Sequence, residues 1–264
     1  MKNIIKSVAY ELKKTKAIRV TFIVGLLFML LEGLLNIDTT SSNMAHNASQ
    51  LVADISVSNI MVLIFIAAVL VGYMCCGDFR DKVVNYEIMS GHSRTQVFIS
   101  RFIPAVLVSA FLVTVLQFSV MLPGIIMYGW GNAISLGDVI IRNMLIFFPI
   151  MRICAFLVII SFIVKSQYLM MAVGYGVFTF LGFIQQLEIG RLNFVTGFSN
   201  INLLCDYRGW STYNLDPVDG IVKYTSYNSS VTSGMIIWTI VVSLLVTAFY
   251  MFVGYSLFRR DELN

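Results

Sequence analysis

Residues 77–101 read GDFRDKVVNYEIMSGHSRTQVFISR, and the reading of the whole chain turns on them. They hold Asp78, Arg80, Asp81, Lys82, Glu87, Arg94 and Arg101, the densest mixed charge in the sequence. Residues 55–77 before this island and 102–137 after it carry no charge at all. A helix needs about 20 apolar residues to cross a bilayer core. Both flanks supply that length, so the island is expected at a membrane surface between two spans. Inside it, Phe79, Val83, Val84 and Ile88 recur at helical spacing with charges on the other face. Ser90-Gly91-His92 breaks the helix, and Ser93 with Gln96 forms an S-x-x-Q capping box that starts the next one. A short amphipathic helix, a tight turn and a capped re-entry suit the docking of a partner. The simpler alternative is a solvated loop bearing positive-inside charges, but the connection is longer than two neighbouring helices need.

Composition agrees with a membrane location. The chain is 58% hydrophobic and 12% charged, with a mean hydropathy of +0.83. Soluble domains average about 25% charged residues. The net charge of +4 is spread over span ends, so no nucleic-acid partner is expected. Cys75 and Cys76 close the second span, Cys154 lies within the fourth, and Cys205 is expected outside. No CxxC occurs, and His46 and His92 fall in loops on opposite sides, so neither a disulfide framework nor a metal site is expected.

The expected fold is all-α and integral to the membrane, one transmembrane domain over residues 1–264. An amphipathic interfacial helix covers 2–16, with Ile4, Ile5, Val8 and Leu12 on one face and Lys2, Lys6, Lys13 and Lys14 on the other. Six spans follow at 17–37, 57–76, 102–128, 139–164, 167–185 and 234–258, the third kinked at Pro123. A Gly-rich turn is expected at 129–138. The N-terminal segment has six Lys or Arg, the island four, the 165 link one and the tail two, whereas 38–56 and 129–138 have none. Both termini and the 77–101 island are therefore expected in the cytoplasm. The large segment 186–233 falls outside; its apolar first half is expected to re-enter or pack over the spans, its second half to be an exposed loop.

The sequence contains no P-loop, no HExxH, no GxSxG and no paired carboxylates within a span. A non-catalytic chain follows, and no internal repeat suggests an inverted-repeat transporter. Three charges stand inside spans: Glu32, Arg142 and Arg152. Arg142 reads as snorkelling to the interface. Arg152 is half-way along its span, where a charge costs at least about 2.5 kcal/mol. It is either a substrate-path or gating residue or a structural partner of Glu32 or of backbone carbonyls. In the fifth span, Met170, Met171, Gly174, Tyr175 and Phe178 suit contact with varied apolar ligands, though ordinary packing explains each singly. Ala172 and Gly176 there fit the small-xxx-small pattern of close helix approach.

The order of these parts, with Glu87-Ile88-Met89-Ser90-Gly91-His92-Ser93-Arg94-Thr95-Gln96-Val97-Phe98-Ile99-Ser100-Arg101 as its most specific stretch, resembles the permease subunits of ABC-2 type ABC transporters. Among these it is similar to the bacitracin-resistance, lantibiotic-immunity and sodium-extrusion permeases. The resemblance implies that residues 81–89 form a coupling helix seated in a groove of a separate ATP-binding subunit. Phe79, Asp81, Val84, Glu87, Ile88, Gly91, Ser93 and Arg94 would couple to that ATPase. It implies two copies of the ATP-binding subunit, which carry the ATP and Mg, and no cofactor in this chain. A second permease, identical or homologous, would complete the path between spans two and five, with Arg152 and the fifth-span residues along it. The expected function is outward movement of an amphipathic peptide, antibiotic or lipid-like molecule across the plasma membrane. A stand-alone secondary transporter is the alternative, for which only Glu32 would be available as an acidic site; a non-transporting peptide-sensing resistance protein is another.

Overall fold

The computed structural model describes residues 15–35, 48–49, 52, 60–77, 83–132, 134–186, 197–205, 213–215, 222–224 and 231–260. The expected interfacial helix, 2–16, lies outside them apart from its last two residues. In chain order the helices are α1 (Lys16–Leu35), α2 (Ile60–Val71, continued as a π-helical turn over Gly72–Cys76), α3 (Val83–Met89) and α4 (Arg94–Ser119). Then come α5 (Leu122–Tyr128), α6 (Leu136–Val164), α7 (Gln167–Gln186), α8 (Phe198–Cys205) and α9 (Ser233–Arg260).

Among the described residues, four helical stretches are long and apolar enough to cross a membrane: Lys16–Leu35, Arg94–Tyr128, Leu136–Val164 and Ser233–Arg260. Ile60–Cys76 and Gln167–Gly182 are shorter apolar helices. This is the make-up of a helical membrane protein. α6 is the centre of the bundle. It is the most buried of the long apolar helices, and α9, α4, α8, α2 and α7 all pack on it. α1 and α9 instead leave broad apolar faces exposed, including Val24, Leu27 and Leu31 on one and Trp238, Leu245 and Phe252 on the other. Such surfaces belong against lipid.

The third apolar run is not one kinked helix from 102 to 128. α4 starts eight residues earlier, at Arg94, and ends at Ser119; Val120 and Met121 form a turn, and α5 begins anew. Pro123 sits in the first turn of α5, where its missing N–H is no loss, so it starts a helix rather than bending one. α6 begins at Leu136, which shortens the expected 129–138 turn. That turn is held from the neighbouring loop: the N–H groups of Ala48 and Ser49 donate to the carbonyls of Gly129 (3.2 Å) and Trp130 (2.9 Å). Lys165 ends α6 in the left-handed region, φ 53°, and makes the two-residue link to α7.

The first half of segment 186–233 contributes α8, which packs on α6 and buries Ile201, Leu204 and Cys205. Cys205 is the last residue of this helix and is 1% exposed. The second half, expected as loop, contains a small antiparallel ribbon, β1 (Tyr213–Leu215) with β2 (Val222–Tyr224), paired Tyr213 to Tyr224 and Leu215 to Val222. Tyr and Val favour extended pairing.

α1 is held at one height by Gly33. A Cβ there would collide with the Val120 carbonyl oxygen and stand 3.2 Å from Pro123 Cγ. Backbone cannot swing aside as a side chain can. Gly33→Val should therefore destabilise the chain by roughly 1–3 kcal/mol, read as a lower melting temperature in detergent; an unchanged melting temperature would show that α1 is not seated against the α4–α5 turn.

Candidate functional site

From residue 83 on, the charged island folds as a helical hairpin at one end of the bundle. α3 stops because Gly91 takes φ +97°, a conformation open to glycine at little cost. Around it the His92 N–H donates to Glu87 O (3.2 Å) and the Gly91 N–H to Ile88 O (3.0 Å). These two bonds make a Schellman stop and satisfy carbonyls that a helix end leaves open. The Ser90 hydroxyl adds a bond to Glu87 O at 2.8 Å. Two residues later the expected capping box is present in full. Gln96 N–H donates to Ser93 Oγ and Ser93 N–H to Gln96 Oε1, both at 3.2 Å.

The two arms are clamped by charge. Arg101 donates from Nε to Glu87 Oε2 at 2.8 Å and from Nη2 to Oε1 at 2.7 Å, a two-pronged ion pair. Arg101 is 4% exposed and the Glu87 side chain 16%. Beneath this pair Val84, Val97 and Phe98 are buried, and Ile88 packs half-buried on the same core. The start of α4 is then tied to the end of α9. Arg94 Nη1 donates to the Arg259 carbonyl at 2.7 Å, a cation against a helix C-terminus, and the Thr95 and Tyr255 hydroxyls are 2.7 Å apart. Phe98, Phe102, Phe162 and Phe258 form an aromatic knot just behind, with Phe102 and Phe162 centred 4.8 Å apart edge to face. Tyr86 and Met89 point outward, 67% and 83% exposed.

The hairpin therefore brings Val84, Glu87, Ile88, Gly91, Ser93 and Arg94 together, while Phe79 and Asp81 lie outside the described residues. Within it, Val84 and Glu87 are turned toward α4, and the exposed surface is led by Tyr86 and Met89. Sequence reasoning missed Arg101, Thr95, Tyr255 and Arg259 as members of this site. Glu87 and Arg101 are fourteen positions apart across a turn, and no periodicity signals such a pair.

The fifth-span residues divide. Met170, Gly174 and Phe178 face inward; a Cβ at Gly174 would lie 3.0 Å from Leu157 Cδ2 and 3.5 Å from Ala68 Cβ. Phe178 meets Phe156 edge to face at 5.6 Å, and Tyr175 meets Phe65 the same way at 5.4 Å, with Met171 half-buried between. Within the chain these are packing contacts of α7 with α2 and α6. The close approach runs through Gly174, not through Ala172 and Gly176, since a Cβ at Gly176 would meet nothing within 4 Å.

Arg152 is fully buried near the middle of α6, and its guanidinium packs on Gly197. Tyr250 of α9 is its electrostatic neighbour. Arg142 does not snorkel: it is 4% exposed and donates from Nη1 to Leu204 O at 3.3 Å.

Removing one member of the clamp strands the other. Glu87→Ala should cost on the order of 3 kcal/mol because Arg101 stays buried without its carboxylate, with faster hydrogen exchange across α3. The swap Glu87→Arg with Arg101→Glu should recover part of that loss, whereas a swap no better than the single change would deny the pair its role. No protein-family model matches this chain, and no curated protein matches it either.

Proposed function

We propose that this chain is the transmembrane permease subunit of an ATP-driven exporter, with the α3–α4 hairpin as the point where a separate ATPase pushes. The observation that carries this reading is the stiffness of the hairpin and its fastening to two long helices. A surface loop with no mechanical task needs no Schellman stop, capping box and two-pronged ion pair in one stretch. α4 continues from the cap for 26 residues, about 39 Å of helix with Pro104 in its interior. A displacement of α3 passes into α4 as a rigid body, and through Arg94 and Thr95 into the last turn of α9. α6, lying between α4 and α9, moves with both.

In this reading α1, α2, α4–α5, α6, α7 and α9 are six spans, the hairpin and both termini face the cytoplasm, and α8 enters from the far side. Two ATP-binding subunits carry ATP and Mg, and a second permease, identical or homologous, completes the path. ATP binding draws the motor subunits together, and packed, bistable interfaces convert the shift into an opening toward the outside. The cargo is an amphipathic peptide, antibiotic or lipid-like molecule, and resistance or self-protection in the plasma membrane is the setting.

Tyr86→Asp combined with Met89→Asp tests this directly, since both side chains are exposed and hold nothing in the fold. The variant should insert and melt as the parent does, yet lose the co-purifying ATPase and at least ten-fold of permease-dependent ATP hydrolysis. Full retention of both would remove the hairpin as the coupling element.

A further inference from the structure

Several buried polar side chains bond within their own helix. Thr114 Oγ1 donates to the Ala110 carbonyl at 2.8 Å, Ser119 Oγ to Leu116 O at 2.6 Å and Asn143 Nδ2 to Val139 O at 2.9 Å. Gln117 does otherwise. It is 7% exposed, and its Oε1 has no hydrogen-bond partner among the described residues. An amide carbonyl in that state has given up water and received nothing in exchange. Gln117 stands about 35 Å along α4 from the Ser93 cap, at the end of the bundle away from the hairpin.

Two cavities border this side chain. The first is walled by Ile64 and Ala67 of α2, Val113 of α4, Ile150 and Ile153 of α6 and Ile201 of α8, and Gln117 is its one polar wall residue among those described. Val113 with Gln117, and Ile146 with Ile150 and Ile153, recur at helical spacing, so each helix offers a single face to it. The second cavity is partly polar, lined by Gln117, Asn143, Cys205, Val120 and Met121. Gln117 and Ile146 border both. Each cavity encloses about 330 Å³ of empty space counted out to its mouth, near the small end of the roughly 300–1,000 Å³ range of ligand sites. Within each, about 20 Å³ admits the centre of a water molecule, and one water needs roughly 10–15 Å³.

The walls select the occupant by chemistry. No Asp, Glu, Lys, Arg or His lines either cavity among the described residues. An ion would lose its hydration there and gain no counter-charge, so a fitting occupant is uncharged. The Gln117 amide both donates and accepts; Asn143, with Nδ2 given to its own helix, has Oδ1 as acceptor. A hydroxyl or amide group, which also donates and accepts, matches that pair. The apolar cavity gives water no partner and suits hydrocarbon. We propose that the two cavities bind a small uncharged amphiphile, its hydroxyl or amide at Gln117 and Asn143 and its hydrocarbon among Ala67, Val113 and Ile150. Gln117 swings on its flexible stem to join the two spaces. This site needs nothing from the exporter reading.

The test uses the full chain, isotope-labelled in its glutamine side-chain amides, purified in an uncharged maltoside detergent and titrated with hexanol, hexanamide and hexanoate under NMR. The Gln117 amide signal is identified by its loss in Gln117→Leu. It should shift saturably with hexanol or hexanamide, at concentrations at least five-fold below any response to hexanoate. Tighter hexanol assigns a lipid-type alcohol, and tighter hexanamide a peptide-type group. Ala67→Leu narrows the apolar cavity without touching the amide and should weaken binding at least five-fold. Asn143→Ala should weaken it three- to ten-fold, and serves if Ala67→Leu does not fold. A signal that contacts water and answers to no ligand would reduce the cavities to hydration sites and overturn the proposal. So would an equal response to hexanoate, or binding that neither variant changes.

Discussion

The Glu87–Arg101 pair is the interaction on which the charged end of the protein depends. Its two bonds, 2.8 and 2.7 Å, fix α3 against α4 at one register and one angle. Taking a guanidinium to 4% exposure carries a desolvation penalty. The carboxylate offsets that penalty only in the folded hairpin, so the pair specifies the hairpin more than it adds net stability. Everything near it is arranged around that geometry: the glycine that turns the chain back, the serine that restarts it, and the apolar residues beneath. A flexible loop would have needed none of these.

From this end the structure is continuous with the bundle. Arg94 and Thr95 join α4 to α9, the aromatic knot joins both to α6, and α6 touches nearly every other helix. The opposite end is organised by backbone rather than charge, with residues 48 and 49 bonded onto the 129–130 turn. Between the two ends, Ser109, Thr114, Gln117, Arg152, Ser243 and Thr247 are buried inside the bundle. Arg142 and Arg152 both lie against α8, one donating to the Leu204 carbonyl and the other packed on Gly197. This short helix packs on α6 and buries Ile201 and Leu204 against it.

Local signals were the ones legible in the sequence. The capping box of Ser93 and Gln96 and the break at Ser90-Gly91-His92 stand where local pattern placed them, because each is made within a few residues. Apolar length likewise located the helices. The break at Val120–Met121 was less legible: Pro123 signals a disturbance, but whether it bends one helix or begins another depends on what packs on the turn, here α1 through Gly33. The small-residue pattern of Ala172 and Gly176 misled in the same way. Spacing says that a close approach is possible and not which face makes it; Leu157 and Ala68 decide for Gly174.

The sequence by itself determined that this is a helical membrane protein with a capped, charged hairpin between apolar helices, because hydropathy and capping are properties of short stretches. Tertiary structure alone decided that Glu87 turns inward to Arg101 while Tyr86 and Met89 face out. It also decided that Arg142 is buried against α8 and that Arg152 is buried against Gly197. Those relations join residues tens of positions apart, and they arise only when α6 takes the centre and the other helices settle around it.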